Sequence, residues 1–184
     1  MTGRGDVMHE LNRLNFGCGR DIRAGYVNMD LFPLEGVDVV HDFEMPPYPF
    51  RDDQFAEIYC SHVLEHMADL VKVMEELGRI GRDGCLIKVM VPYFSSPANA
   101  LDPTHKRQFN WHTFDHFVDG YISTVRLEIV RRRIIFFTCQ GFMQSRWYSW
   151  PLDVFINALP LVYQRFFPYL LPASEIHYLL KLKK

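Results

Sequence analysis

Apolar positions along the chain fall into short, nearly continuous runs, and each run ends in glycine or a polar residue. Leu11–Phe16 runs into Gly17-Cys18-Gly19, a strand followed by a glycine turn. Tyr26–Leu31 alternates as a second strand ending at Asp30. Val37–Val40 ends at His41-Asp42, and Phe55–Cys60 ends at Ser61-His62. Between the third and fourth strands, Pro46, Pro47 and Pro49 remove backbone donors and fix φ, so Met45–Pro49 is a loop. The period then changes. Val63, Met67, Leu70, Met74 and Leu77 recur at +4, +3, +4 and +3, which predicts one helix with a single buried face, stopping near Gly78–Gly81. Asp83-Gly84 reads as the turn into a fifth strand, Cys85–Val91, ended by Pro92.

Further on, Thr113 is placed to cap a short helix, Thr113–Val118. Thr124–Thr138 reads as a long strand and Glu175–Leu182 as its antiparallel neighbour at a sheet edge. Pro151–Pro172 is very apolar, yet Asp153, Asn157, Gln164, Arg165 and three prolines interrupt it, so it does not span a membrane. Two short amphipathic helices are expected there, covering the domain or touching a membrane surface. Nearly continuous apolar strands are the mark of a parallel sheet covered on both faces. The expected fold is α/β: a doubly wound, Rossmann-like, mostly parallel sheet with an antiparallel edge strand and an apolar C-terminal helical insertion. One domain is expected over 1–184, with a core at 12–118 and edge strands and apolar cover at 119–184.

At 184 residues, 48% hydrophobic and 23% charged, the chain reads as a globular domain and not as a disordered or collagen-like one. A net charge of −2 and a pI near 6.4 disfavour a dedicated nucleic-acid binder. Cys18, Cys60, Cys85 and Cys139 lack CxxC spacing and read as reduced thiols of a cytoplasmic protein. The stretch MTGRGDVMHELNR has no apolar run and is not read as a signal peptide. Nineteen of the 27 aromatic residues lie from Tyr93 onward, so the second half is the half that shapes an apolar or stacking surface.

Ligands of open α/β sheets bind at the carboxyl ends of the strands. Gly17-Cys18-Gly19, Asp30, Asp42 and Ser61-His62 should therefore line one crevice. A glycine turn allows close backbone approach and offers N–H groups to an anion. A carboxylate ending the second strand can accept from ribose hydroxyls, and one ending the third from an adenine amino group. Together these describe a site for an adenosine with an amino-acid-like tail.

The segments LNFGCG, YVNMD, DVVHDFEMPPYPFRDDQFAEIYCSHVLEH and ELGRIGRDGCLIKVMVP resemble class I S-adenosylmethionine-dependent methyltransferases, most of all the type 11 group, over roughly residues 12–118. The resemblance implies S-adenosylmethionine as cofactor, held by Asn15, Gly17, Cys18, Gly19, Asp30, Leu31, Asp42, Phe43, Ser61 and His62. Gly17 and Gly19 would face the methionine part, Asp30 the ribose, Asp42 the adenine, and Ser61 the sulfonium. DPTHKRQF followed by TFDHF is similar to a subgroup associated with polysaccharide and lipid-linked glycan biosynthesis. The chain departs from the family at Asn15, where an acidic residue is usual, at Ala56, and at Arg82-Asp83-Gly84. Only Arg20–Gly25 separates the glycine turn from the second strand, so the first helix must shrink to one turn or an irregular loop. Arg20 or Arg23 could then supply the positive charge a longer helix would offer.

For the acceptor, His105 is the expected general base and Asp102 its orienting partner, with Lys106 and Arg107 contacting a phosphate or carboxylate. The expected reaction is methyl transfer to a small-molecule or glycan or lipid-linked acceptor, at oxygen and without a metal. The acidic pI argues against a nucleic-acid partner, and no Asn-Pro-Pro motif for planar amino acceptors follows the fourth strand. Packing of 152–171 on the domain is the commoner case for such helices, with peripheral membrane contact through the same segment as the alternative. Two other readings stand beside this one: a catalytically inactive cofactor-binding partner protein, and a zinc hydrolase built on His62-Val63-Leu64-Glu65-His66, which matches H-x-x-E-H.

Overall fold

The computed structural model describes residues 11–137, 142–144 and 149–184. The expectations placed on the first ten residues, on Thr138 and on Cys139 lie outside these. Seven strands form one sheet: β1 (Arg13–Phe16), β2 (Val27–Asp30), β3 (Val39–Val40), β4 (Phe55–Ser61), β5 (Gly81–Pro92), β6 (Arg126–Ile135) and β7 (Glu175–Lys183), in the order β3-β2-β1-β4-β5-β7-β6. The first five strands are parallel. β7 is the antiparallel strand, hydrogen-bonded to β5 on one side and to β6 on the other. This is the mostly parallel α/β sheet that the apolar runs imply. The helices are α1 (Leu70–Ile80), α2 (Ala98–Leu101), α3 (Trp150–Ala158) and α4 (Pro160–Phe166), the last two being the short pair expected in the apolar segment.

The connections β1–β2, β2–β3 and β3–β4 contain no helix. Side-chain amides hold the first one instead. Asn15 Nδ2 donates to Asp21 O (2.7 Å) and to Asn28 Oδ1 (3.0 Å), and Asn28 Oδ1 also accepts from Arg23 N (2.9 Å). Asn28 Nδ2 returns bonds to Arg23 O and to Asp38 Oδ2, both at 3.2 Å. Aromatic loop residues then cover the sheet where a helix would lie. Phe43 and Tyr48 pack on Phe16 with ring centroids 4.4 and 5.7 Å away, and Phe50 meets Phe55 at 4.9 Å. Arg79 of α1 fastens that loop, donating to Tyr48 O and Phe50 O while paired with Glu76.

The helix expected from Val63 onward is two pieces. Leu64–His66 is a 3₁₀ turn, Met67 is extended, and Asp69 caps a new helix by accepting from Lys72 N (3.0 Å). The +3/+4 spacing is met because Val63 and Met67 are buried from a turn instead of from a helix face. Asp83-Gly84 lies inside β5, opposite a register shift between Phe55 and Glu57. Thr113 does not cap a helix. Its hydroxyl accepts from Asn110 N (2.9 Å), ahead of a 3₁₀ turn at Asp115–Phe117. Arg132 of β6 pairs with Asp115 (2.6 Å) and lies over the Trp111 ring.

Asn28→Ala leaves the Arg23 N–H and an Asn15 amide proton without an acceptor. A loss of about 2–3 kcal/mol is expected, read as a lower urea midpoint; an unchanged midpoint would contradict the role given to the amide pair. The Arg79 guanidinium hydrogen-bonded to Glu76 holds that carboxyl below its ordinary value. Its contribution is full above the unfolded carboxyl range and is lost as pH falls through the folded value. Glu76→Gln should flatten the acid limb of a stability–pH curve, with little change in its shape near neutrality.

Candidate active site

Strand order reverses between β1 and β4, and a cavity of about 670 Å³ opens at their carboxyl ends. Each parallel strand from β1 to β4 delivers residues to it: Gly17 and Gly19 after β1, Asp30, Leu31 and Phe32 around the end of β2, Asp42 and Phe43 after β3, His62 and Val63 after β4. Thr104 and Lys106, from the segment after β5, close the opposite wall beside His66. Asn15, Cys18 and Ser61 were expected here and do not line it. Asn15 is consumed by the loop network. The Cys18 thiol is buried and pushed up to about 11, by desolvation first and by Asp30 second. Ser61 is the last residue of β4, opposite Met90.

The glycine turn works differently from the expectation. Gly17 N and Cys18 N both donate to Met29 O (2.9 and 3.0 Å), and Gly19 N donates to Asp30 Oδ2 (2.7 Å). These amides hold the loop against β2 and do not await an anion. What the glycines provide is room. A Cβ on Gly17 (φ +69) would lie 2.4 Å from Val63 Cγ2, whereas Gly19 (φ +51) has nothing within 4 Å of such an atom. The buried Asp30 carboxylate accepts one N–H on each oxygen, from Gly19 and from Phe32 (3.0 Å), so each keeps a free lone pair. Arg23, a candidate for a ligand carboxylate, is paired with Asp21 (2.7 Å) and stacked over Tyr59.

After β4 the chain turns sharply. His62 adopts φ +51, and its N–H donates to Met90 O (2.9 Å). Its imidazole stands between two buried carboxylates, Nδ1 3.3 Å from Glu65 Oε1 and Nε2 3.4 Å from Glu175 Oε1. Burial lowers its pKa, but Glu175 and Glu65 outweigh that and push it up to about 10. Burial likewise raises Glu175, while His177 and His62 bring it down to about 2. H-x-x-E-H therefore does not present His62 and His66 as an i, i+4 pair on a helix.

The segment after β5 is sewn to this turn. Glu65 O accepts from Lys106 N (2.8 Å) and Arg107 N (3.1 Å). Arg107 donates to Met67 O (2.9 Å) and Ala68 O, so its guanidinium caps the turn and is not directed at an acceptor. This stitching turns His105 inward. Its side chain is only 10% exposed, its ring meets His66 edge-on at 4.8 Å, and it does not line the cavity. His66 does, and Asp102 reaches it through Thr104. The Thr104 hydroxyl donates to Asp102 Oδ1 (2.6 Å) and lies 2.9 Å from His66 Nδ1. Asp102 Oδ2 is 3.8 Å from His105 Nε2. From sequence Glu65 figures only in the H-x-x-E-H reading, and its burial was not expected. It is 0% exposed, and neither carboxylate oxygen makes a hydrogen bond.

Residues 18–88 match the type 11 family model described as a methyltransferase domain. No curated protein matches the sequence significantly. Among solved structures, the YcgJ protein from Bacillus subtilis superposes with a TM-score of 0.60 at 14% identity, over 98% of this chain and 97% of that one. An Archaeoglobus fulgidus SAM-dependent methyltransferase gives 0.54 at 18% identity, over 98% and 95%. A Mesorhizobium loti S-adenosylmethionine-dependent methyltransferase gives 0.53 at 14%, over 93% and 90%. At these identities the structural likeness is one of fold.

Gly17→Ala is expected to destabilise the protein by about 2–4 kcal/mol, through the Val63 clash and the left-handed backbone together. Adding Val63→Ala should relieve only the clash. Complete rescue in the double variant, by chemical denaturation, would remove backbone conformation from the explanation.

Proposed function

We propose that this chain, a class I S-adenosylmethionine-dependent methyltransferase, transfers the methyl group to an oxygen of a small-molecule or glycan acceptor. The cavity fits the cofactor. Its volume lies in the usual range for small-molecule sites, about 300–1,000 Å³. The free lone pairs of Asp30 suit two ribose hydroxyls, Leu31 and Phe43 offer apolar surface to the adenine, and exposed Asp42 can accept from its amino group. The open space over Gly19 admits the tail. When bound, the cofactor supplies an electrophilic methyl group on sulfur.

This chain's residues supply placement, which is most of what an in-line displacement needs. The acceptor would enter against His66, Thr104 and Lys106. Lys106 gives that wall a cation, 3.5 Å from Glu44, that suits a phosphate or carboxylate on the acceptor. His105, the base expected from sequence, is set back from the wall, and we give it no direct contact with the acceptor.

The observation that carries the reading is that one cavity joins the half-free Asp30 carboxylate to this polar wall. Support for a lipid-linked acceptor comes from α3 and α4. Trp150, Phe155, Phe166, Tyr169 and Leu170 of this region are exposed. Gln164 of α4 is tied to the acceptor side, its Oε1 accepting from Trp111 N (3.0 Å) and Tyr93 OH (3.2 Å). No helix among the described residues is long and apolar enough to cross a membrane. The pair would lie on the cytoplasmic membrane surface.

Calorimetric titration with S-adenosylmethionine should give micromolar binding, weakened about 10- to 100-fold in Asp30→Asn. Labelled methyl transfer to lipid-linked or nucleotide sugars should follow. Failure of well-folded protein to bind the cofactor would overturn the reading; binding without turnover on any hydroxyl acceptor would favour an inactive partner protein.

A further inference from the structure

The histidine cluster beside the cavity holds more donor groups than placement of an acceptor requires. Glu65, His66 and His105 each offer a ligand atom, and these atoms lie within 4.8 Å of one another. Glu65 is fully buried, and neither of its oxygens accepts a hydrogen bond; His105 Nδ1 is likewise buried and unbonded. A buried carboxylate in that condition is strongly destabilising unless something cationic completes it. His62 stands 3.3 Å from Oε1 and offsets charge, but leaves Oε2 with no partner.

We infer that Glu65, His66 and His105 form a divalent transition-metal site on the acceptor side of the cavity. The arrangement around His66 sets its tautomer. The Thr104 hydroxyl has one proton, and the Asp102 carboxylate, 2.6 Å away, can only accept it. The 2.9 Å contact between Thr104 Oγ1 and His66 Nδ1 then requires an Nδ1–H donor, which leaves the Nε2 lone pair free. Carboxylate-to-ligand-histidine relays of this kind orient metal-binding imidazoles. Both segments that supply ligands are already fixed to each other through Glu65 O and the Arg107 guanidinium.

Two imidazoles and one carboxylate favour Zn²⁺ or a similar borderline ion, with a fourth position left open; Mg²⁺ prefers an oxygen-only shell. Bonds of about 2.0–2.2 Å place tetrahedral ligands about 3.3 Å apart, so the cluster closes by roughly an ångström on binding. His66 is the ligand that also faces the cavity. An ion held there could take an acceptor oxygen in its open position, and that role alone rests on the methyl-transfer reading. The ligand set differs from the H-x-x-E-H motif. His105 takes the place of His62, whose two nitrogens face Glu65 and Glu175.

The test uses the full chain, stripped by chelator and titrated with Zn²⁺ alone in the absence of S-adenosylmethionine, with Mn²⁺ and Mg²⁺ as comparisons. One Zn²⁺ per chain at submicromolar affinity is expected, with a rise in melting temperature and much weaker Mg²⁺ binding. Glu65→Gln and His105→Ala should each weaken Zn²⁺ about 100-fold or more, and Thr104→Val about 10-fold. His62→Gln should retain the ion. Thermal melts separate loss of ligand from loss of fold, and the exposed Thr104 provides a second variant if Glu65→Gln does not fold. Sub-stoichiometric Zn²⁺ in the folded wild type, or an ion lost in His62→Gln yet kept in His105→Ala, would overturn the site. Because no cofactor is present, neither result bears on whether S-adenosylmethionine binds.

Discussion

Two adjacent parallel strands joined by a short loop need something to replace the helix that normally spans them. Here that is a pair of buried asparagines. Asn15 and Asn28 face each other in register across β1 and β2, and between them they satisfy Asp21 O, Arg23 N, Arg23 O and the Asp38 carboxylate. Both amides are themselves buried, so their own hydrogen-bonding groups are the expensive ones to leave unmade, and the loop supplies their partners. The same bonds set the height of the glycine turn above β2. That height lets Met29 O and the Asp30 carboxylate take up the amides of Gly17, Cys18 and Gly19. The cavity floor therefore follows from the way this sheet dispenses with its first helix.

The opposite wall is held by charge. β4 is followed by a left-handed His62, and the 106–107 segment completes the carbonyls of the turn beyond it, Glu65 O through two backbone N–H groups and Met67 O and Ala68 O through the Arg107 guanidinium. The carboxylates of Glu65 and Glu175 are drawn into the interior on either side of the His62 ring. Desolvation opposes every one of these charges, and mutual contact retains them. One half of the site is thus a set of neutral amides with little freedom left, and the other a compact group of ionisable side chains.

The strands and their terminal acids were legible in the sequence for a local reason. An apolar run that stops at Asp30 or Asp42 reports burial and its end at once. The division of the expected helix was not legible, because Val63 and Met67 are buried either way and spacing alone does not distinguish a turn from a helix face. The glycine amides were misjudged because their acceptors lie on the next strand. His105 was misjudged for a similar reason. Its direction is set by contacts between the 65–68 and 106–107 segments, about forty residues apart. Asparagine at position 15 looked like a departure from a family pattern, and only its partner on β2 shows it to be structural.

The polar wall of the cavity also continues into the apolar part of the chain. Trp111, whose N–H binds Gln164 of α4, is stacked under Arg132 of β6, which in turn pairs with Asp115. Tyr178 of β7 donates to Asn110 O in the same stretch. The segment that carries Thr104 and His105 is thereby held at one end by the turn after β4 and at the other by β6, β7 and α4. A force on the exposed face of α3 and α4 would be transmitted through Gln164 to residues 93–111, and from there to the wall of the cavity. Gln164 thus ties α4 to both ends of the 93–111 stretch, which carries Thr104 and Lys106 of the cavity wall. That physical continuity is the reason to look for the acceptor on the apolar side of the molecule.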